Sequence, residues 1–204
     1  MQDKEVIKTL QNQLNYSAKN ILDIKIFINE LLKANKKHNF ISKSTENVIW
    51  HRHILDSAQL VKFIDFSKSS LSDLGSGAGF PGLILALFNK NKDFHVKLYE
   101  KSPVKRAFLK DMSDILSLKI EIHGNVYENS IDSDYIVSRA FKKLEAIIQV
   151  SREIVKKSHK LIILKGQNAQ EELKKAFNKE KYDYKLENSI TNKDSKIIIV
   201  DFKK

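Results

Sequence analysis

The sequence has 204 residues, of which 42% are hydrophobic and 30% charged, the balance of a globular protein with one substantial domain. Its longest apolar runs, such as residues 161–164, are strand-sized, and the first residues lack the apolar stretch of a signal peptide, so we expect neither a membrane span nor export. The absence of cysteine excludes disulfides and thiolate metal sites, and the expected location is the cytoplasm.

A formal net charge of +11 is typical of proteins that bind a polyanion, because Lys and Arg neutralise nucleic-acid phosphates. The same excess of Lys also arises from a biased genome base composition. Charge alone therefore leaves nucleic-acid binding open, since it bears on association rather than on fold.

The first 74 residues contain neither Gly nor Pro and are free to be helical. Apolar residues recur every seven positions, at Ile7, Leu14, Ile21 and Ile28. With a second row that Ser17 interrupts, they predict one helical stripe over about residues 5–32. The stripe is short for a coiled-coil dimer, so a helix laid across its own domain is the favoured interpretation. We assign residues 1–68 to a helical extension that packs on the core.

From residue 69 onward, short apolar runs alternate with amphipathic stretches, which indicates an α/β fold with a mostly parallel sheet and helices on both faces. The predicted strands are 71–74, 94–99, 119–122, 135–137, 160–164, 182–186 and 196–202. No helical stretch separates the last two, so they are expected to form a hairpin. Pro103 suits the first turn of a helix capped by Ser102.

The six glycines all follow predicted strands, and four of them form the turn GSGAGFPG at residues 75–82. A dinucleotide-binding fingerprint requires glycine where Phe80 stands, which disfavours NAD and FAD. The spacing Gly75, Gly77, Gly79 instead suits a cofactor with an adenosine and an amino-acid tail, such as S-adenosylmethionine. Glu100, at the end of the next strand, is expected to bind its ribose hydroxyls. The alternative is a tight turn with no ligand.

Four segments carry a family resemblance: RHILDS at 52–57, the stretch 73–82, SRAF at 138–141 and LKG at 164–166. Over about residues 31–177 the sequence resembles the ribosomal RNA small-subunit methyltransferase G family, also called glucose-inhibited division protein B. The resemblance implies a class I S-adenosylmethionine-dependent methyltransferase with a Rossmann-like, seven-stranded fold. It also implies methyl transfer to N7 of a guanine in 16S rRNA of the small ribosomal subunit.

The resemblance further implies cofactor contacts at five positions: Gly75, Phe80, Val126, Tyr127 and Arg139. Tyr127 departs from the family, which often has an acid there. We assign Arg139 and Lys165 to catalysis. Arg139 is expected to pair with a cofactor carboxylate or an RNA phosphate, and Lys165 to bind guanine O6 or a phosphate. A fixed charge at N7 itself would oppose the methylated, cationic base.

Further RNA contacts are expected at Asn39, Arg52, His53 and Lys165. His51 and His53 lack a third metal ligand, so no metal is expected. His53 and Asp56 lie one helical turn apart and are expected to hold their helix against the glycine turn by hydrogen bonding.

The residues also limit the chemistry. Methylation at C5 of a pyrimidine needs a cysteine, and the exocyclic-amine class often uses a Pro-Pro clamp, whereas this chain has no cysteine and only Pro81 and Pro103. Guanine N7 has an in-plane lone pair and needs alignment rather than deprotonation. A small-molecule methyltransferase and an RNA-binding protein without cofactor remain alternatives. The expected protein is a monomer that acts on 16S rRNA or the small subunit.

Overall fold

A computed structural model of the protein describes residues 3–176 and 183–204. Within them one seven-stranded sheet is formed by β1 (Ser70–Leu74), β2 (His95–Tyr99), β3 (Ile120–His123), β4 (Tyr135–Arg139), β5 (His159–Lys165), β6 (Tyr184–Asn188) and β7 (Lys196–Phe202). The strand order is β3-β2-β1-β4-β5-β7-β6. Strands β1 to β5 pair in parallel, and β7 is antiparallel to both of its neighbours.

This sheet confirms the predicted α/β class and all seven strands. The terminal hairpin is confirmed as well, because β6 pairs directly with β7. The predicted start of β6 at Tyr182 lies outside the described residues.

The prediction of one continuous helical stripe in the N-terminal segment is wrong. This segment forms two helices, α1 (Asp3–Leu14) and α2 (Ala18–Asn35), separated at Asn15, whose φ is +59°. The Ser17 hydroxyl accepts the amide of Asn20, and the Asn20 side chain accepts the amide of Ser17. This capping box starts a new helix where the apolar spacing alone suggests continuity.

The apolar side of α1 and α2 is buried in the core of the same chain, with Leu14 and Ile21 almost fully covered. The favoured interpretation of a helix laid across its own domain therefore holds for both helices. Next come α3 (Lys43–Glu46), a π-helical turn (Trp50–Leu55), α4 (Asp56–Ala58) and a 3₁₀ turn (Gln59–Phe63). The boundary at residue 68 stays a prediction, because one hydrophobic cluster spans it.

Alternate residues of the central strands enter different hydrophobic clusters, so both faces of the sheet are covered. Ile162 packs in the cluster that contains the N-terminal helices, α5 (Gly82–Phe88) and α6 (Pro103–Ile115). Ile163 packs in the cluster that contains α7 (Leu144–Glu153) and α8 (Ala169–Ala176). Because both faces of the sheet are covered, the central strands consist of continuous apolar runs.

Candidate active site

The glycine-rich turn follows β1 and is attached to the end of β2. The amides of Gly75 and Ser76 donate to the carbonyl of Tyr99, at 2.9 and 3.0 Å. Gly77 has φ +57°, and a Cβ placed there would have the Gly75 oxygen as its nearest neighbour, at 3.9 Å. The backbone at Gly77 therefore faces open space in a conformation that other residues rarely adopt.

Two buried carboxylates hold this turn. Asp73 Oδ2 accepts the amide of Gly82 at 2.9 Å, and Glu100 Oε2 accepts the amide of Gly77 at 2.9 Å. Glu100 Oε1 accepts the amide of Ser102 at 2.8 Å. Ser102 is the N-cap residue of α6 and Pro103 is the first helical residue, as predicted, but the Ser102 hydroxyl makes no capping hydrogen bond.

The turn forms one wall of a cavity of about 540 Å³, which we call the main cavity. The other walls are residues 124–127, residues 139–142, and Phe40 with Ile41. This volume lies within the range of roughly 300 to 1,000 Å³ that is usual for cofactor and small-ligand sites.

Seven of the predicted cofactor residues line the main cavity: Gly75, Gly77, Phe80, Glu100, Val126, Tyr127 and Arg139. Gly79 does not line it. A Cβ at Gly79 would lie 2.9 Å from Cβ of Leu83, so this glycine allows the turn to pack against α5. The cofactor roles themselves stay predictions.

Burial shifts the acid behind the turn toward neutrality. It raises the pKa of Asp73 to about 7, against the opposing effects of the Gly82 amide and the Ser76 hydroxyl. Asp73 Oδ1 is buried and has no hydrogen-bond partner among the described residues. The charge on this carboxylate therefore changes within the physiological pH range.

Arg139 ends β4, two residues beyond the predicted strand end, and its side chain is 17% exposed. NH1 donates to the carbonyl of Arg52 at 3.0 Å and lies 3.5 Å from Asp56 Oδ2, and NH2 donates to His53 Nδ1 at 2.9 Å. The guanidinium carbon lies 4.9 Å from the ring centre of Phe80. Burial lowers the pKa of Arg139 and the Asp56 carboxylate opposes this, so the guanidinium stays charged.

His53 is a neutral hydrogen-bond acceptor for this guanidinium. Because a guanidinium can only donate, His53 Nδ1 must accept, and Nε2 carries the proton that it donates to the hydroxyl of Thr45 at 2.9 Å. Burial and the charge of Arg139 lower the pKa of His53 to about 3. Its ring stacks on that of Phe80, with 5.0 Å between ring centres.

Asp56 extends the network to the terminal hairpin. Its Oδ1 accepts the hydroxyl of Thr191 at 2.9 Å, and the neighbouring Gln59 bonds to the Ser189 hydroxyl and the Ile190 amide. The expectation that His53 and Asp56 hydrogen-bond the glycine turn is therefore wrong in detail. Both contact Arg139, and in the described residues His53 reaches the turn by stacking on Phe80.

The predicted RNA-contacting residues lie at separate places. Asn39 is exposed and lines a second cavity, which shares Phe40 and Lys105 with the main cavity. Arg52 has an exposed side chain, while its carbonyl serves Arg139.

The structure does not bring Lys165 to the main cavity. Its Nζ bonds to Glu172 Oε2 and to the carbonyl of Lys142, both at 2.8 Å, and the side chain is 11% exposed. A role of Lys165 in binding guanine stays a prediction, and it would require this ion pair to open.

Lys142, which is not among the predicted site residues, also lines the main cavity. Its ammonium donates to the Tyr127 hydroxyl at 2.7 Å and lies 4.4 Å from the centre of that ring. The sequence does hold a sign of this position, because Lys142 directly follows the SRAF segment at the carboxyl-terminal end of a predicted strand.

Among residues 3–176 and 183–204, no group of three or more His, Asp or Glu side chains is arranged to hold a metal ion. The absence of a metal stays a prediction. In the same part of the chain, no helix has the length and apolarity needed to cross a bilayer.

The residues of the main cavity fit S-adenosylmethionine. The open backbone at Gly77 allows close approach of a ligand, and each Glu100 oxygen keeps a lone pair that can accept a ribose hydroxyl. The guanidinium of Arg139 lines the same cavity and can bind a carboxylate.

Solved structures with low sequence identity share the fold. The chain resembles TYW2 of M. jannaschii in complex with AdoMet, with 18% identity, a TM-score of 0.53, and coverage of 73% of this chain and 74% of the other. It also resembles an S-adenosylmethionine-dependent methyltransferase from Aquifex aeolicus, with 13% identity, a TM-score of 0.57, and coverage of 72% and 89%. These similarities establish a methyltransferase fold.

Sequence relatives are closer. The chain is 36% identical over 192 residues to ribosomal RNA small subunit methyltransferase G of Pelagibacter ubique, covering 91% of this chain and 90% of the relative. It is 36% identical over 188 residues to the protein of the same name from Rickettsia akari, covering 92% and 96%. The family model for rRNA small subunit methyltransferase G matches residues 20–199. The chain therefore belongs to the rRNA small subunit methyltransferase G family.

Proposed function

We propose that the protein transfers the methyl group of S-adenosylmethionine to N7 of a guanine in 16S rRNA of the small ribosomal subunit. The observation that carries the proposal is the glycine turn with Glu100, which faces a cavity of cofactor size in a chain of this family. The cavity argues against an RNA-binding protein without cofactor. The fold alone does not exclude a small-molecule methyltransferase, but membership of this family argues against one.

The cofactor supplies an electrophilic methyl group on a sulfonium. Guanine N7 presents a lone pair and no proton, so the protein has to align the base and exclude water rather than remove a proton. The neutral state of His53 is consistent with this chemistry, because its Nδ1 lone pair is already used by Arg139. Charge passes from sulfur to the base, so no oxyanion-type stabiliser is required.

Arg139 is proposed to bind the carboxylate of the cofactor. Two of its nitrogens are used by Arg52, His53 and Asp56, and a guanidinium has five N–H groups, so donors remain for the main cavity. These contacts fix the plane of the guanidinium. The proposed substrate is the cytoplasmic small subunit or its 16S rRNA, and the proposed active species is a monomer.

The direct test uses small subunits from bacteria that lack this modification. Labelled methyl from S-adenosylmethionine should enter 16S rRNA, and chemical cleavage specific for 7-methylguanosine should cut at a single guanine. Protein-free 16S rRNA and a mixture of small metabolites are the comparison substrates. Label on O6, N1 or a ribose hydroxyl, or on a metabolite alone, would show the proposal to be wrong.

The cofactor site is tested by Gly77→Val. The new side chain would enter the main cavity at a residue with positive φ, so cofactor binding measured by calorimetry should be lost while the variant stays folded by circular dichroism. Gly166→Val is the control, because a Cβ there meets no atom within 4 Å and Gly166 lies outside the main cavity. Full cofactor affinity in folded Gly77→Val would remove the turn from the site.

The pH dependence separates binding from transfer. Because the pKa of Asp73 is raised to about 7, lowering the pH below 7 neutralises the acceptor of the Gly82 amide and should weaken cofactor affinity. At saturating cofactor, single-turnover methylation should be nearly flat over roughly pH 6.5 to 9, whereas an essential base would give a tenfold slope per pH unit below its pKa. His53, with its pKa lowered to about 3, stays neutral throughout.

Asp73→Asn is the control for this pH experiment. Between pH 6 and 8 the cofactor affinity of this variant should change much less than that of the wild type, because the titrating carboxyl group is gone. A sloped transfer step at saturating cofactor would contradict direct attack by N7.

A further inference from the structure

A second cavity, of about 370 Å³, adjoins the main cavity. It lies between the loop after α2, residues 37–40, and the first turn of α6, residues 102–105. Phe40 and Lys105 line both cavities, so the two spaces meet at these side chains. A ligand that fills the main cavity can therefore continue into the second one.

The charge of the second cavity differs from that of a cavity elsewhere in the described part of the chain. Lys37 and Lys105 line it together with His38 and uncharged residues, and no carboxylate of the described residues does. A cavity at the opposite, amino-terminal edge of the sheet has three lysines facing three carboxylates: Lys62, Lys160, Lys185, Asp65, Glu187 and Asp201. Among the described residues, the lining of the second cavity thus supplies no carboxylate to balance these lysines, which favours an anionic ligand.

Apolar and aromatic surface lies beside these cations. The ring of Phe40 packs against Phe108, with 4.8 Å between centres, and the exposed His38 ring meets Phe40 edge-on at 6.1 Å. Val104 lines the same cavity and is 46% exposed. Cations next to exposed ring and aliphatic surface suit a nucleotide, because proteins bind single-stranded RNA by pairing its phosphates and stacking on its bases.

We propose that the second cavity binds the nucleotide next to the methylated guanine. This inference rests on the proposed function and adds a substrate subsite to it. Lys105, at the junction of the cavities, contacts the phosphate that links the two nucleotides, and Lys37 contacts the next phosphate. The flanking base lies against His38 and Val104. When a guanine is taken out of its stack to reach the cofactor, the nucleotide linked to it lies next to the main cavity, and this subsite holds that nucleotide.

The phosphate contact is tested by Lys37→Ala, because Lys37 lines the second cavity and not the main one. The KM for RNA should rise on the order of fivefold at low salt, and the slope of log binding constant against log salt should decrease by about 0.7, the value for one phosphate of a single strand. The kcat at saturating RNA and the affinity for S-adenosylmethionine should not change.

Lys160→Ala, in the charge-balanced cavity, is the matched control and should leave both RNA parameters unchanged. Equal KM and equal salt slope in Lys37→Ala and Lys160→Ala would overturn the subsite. If wild-type protein fails to methylate RNA at all, the proposed function itself is wrong, so the two failures are distinguishable.

The position of the RNA is tested by crosslinking. The chain has no cysteine, so Val104→Cys carries a single thiol to which an aryl azide can be attached. Irradiation on small subunits should join it to the nucleotide directly beside the methylated guanine, as read by primer extension, whereas Lys185→Cys at the other edge of the sheet should not crosslink there. Crosslinks of Val104→Cys to a ribosomal protein, or to rRNA away from the target guanine, would overturn the proposal.

Discussion

The buried guanidinium of Arg139 is the interaction on which the arrangement of the site depends. A charge that is largely removed from water is costly unless it is paired and hydrogen-bonded. Its partners come from a distant part of the chain, the segment 52–56, through a backbone carbonyl, a neutral imidazole and a carboxylate. This segment is therefore fixed to the carboxyl-terminal edge of the sheet, and one hydrophobic cluster joins it to the N-terminal helices and the sheet.

The same network determines what the neighbouring groups can do. His53 gives its lone pair to the guanidinium and is unsuited to accept a proton, and Asp56 continues the network to Thr191 in the terminal hairpin. Three distant regions of the sequence thus meet beside the glycine turn. Such a site positions a substrate, and the histidine beside its cavity does not serve as a base, which suits an acceptor atom that carries no proton.

The sheet could be predicted from the sequence because strands covered on both faces leave continuous apolar runs, and the turn could be predicted because its glycines are concentrated at residues 75–82. The break between α1 and α2 was missed, since the seven-residue spacing continues across Asn15 and only the Ser17 cap marks it. The contact between Asp56 and Thr191 joins residues 135 positions apart, and no local pattern reports it. Lys165 was placed by its motif, but the sequence gives no sign that Glu172 holds it.

A double-mutant cycle of Asp56→Ala and Arg139→Ala tests most directly whether the N-terminal segment and the sheet edge form one site. The free energy of unfolding in urea and the affinity for S-adenosylmethionine are measured for the wild type, both single variants and the double variant. If Arg139 is held as described, removing either partner leaves the other buried without its opposite charge, so the double variant should lose less stability than the sum of the singles by about 1 kcal/mol or more. Cofactor affinity should show coupling of the same sign. Additive effects on both quantities would contradict the account.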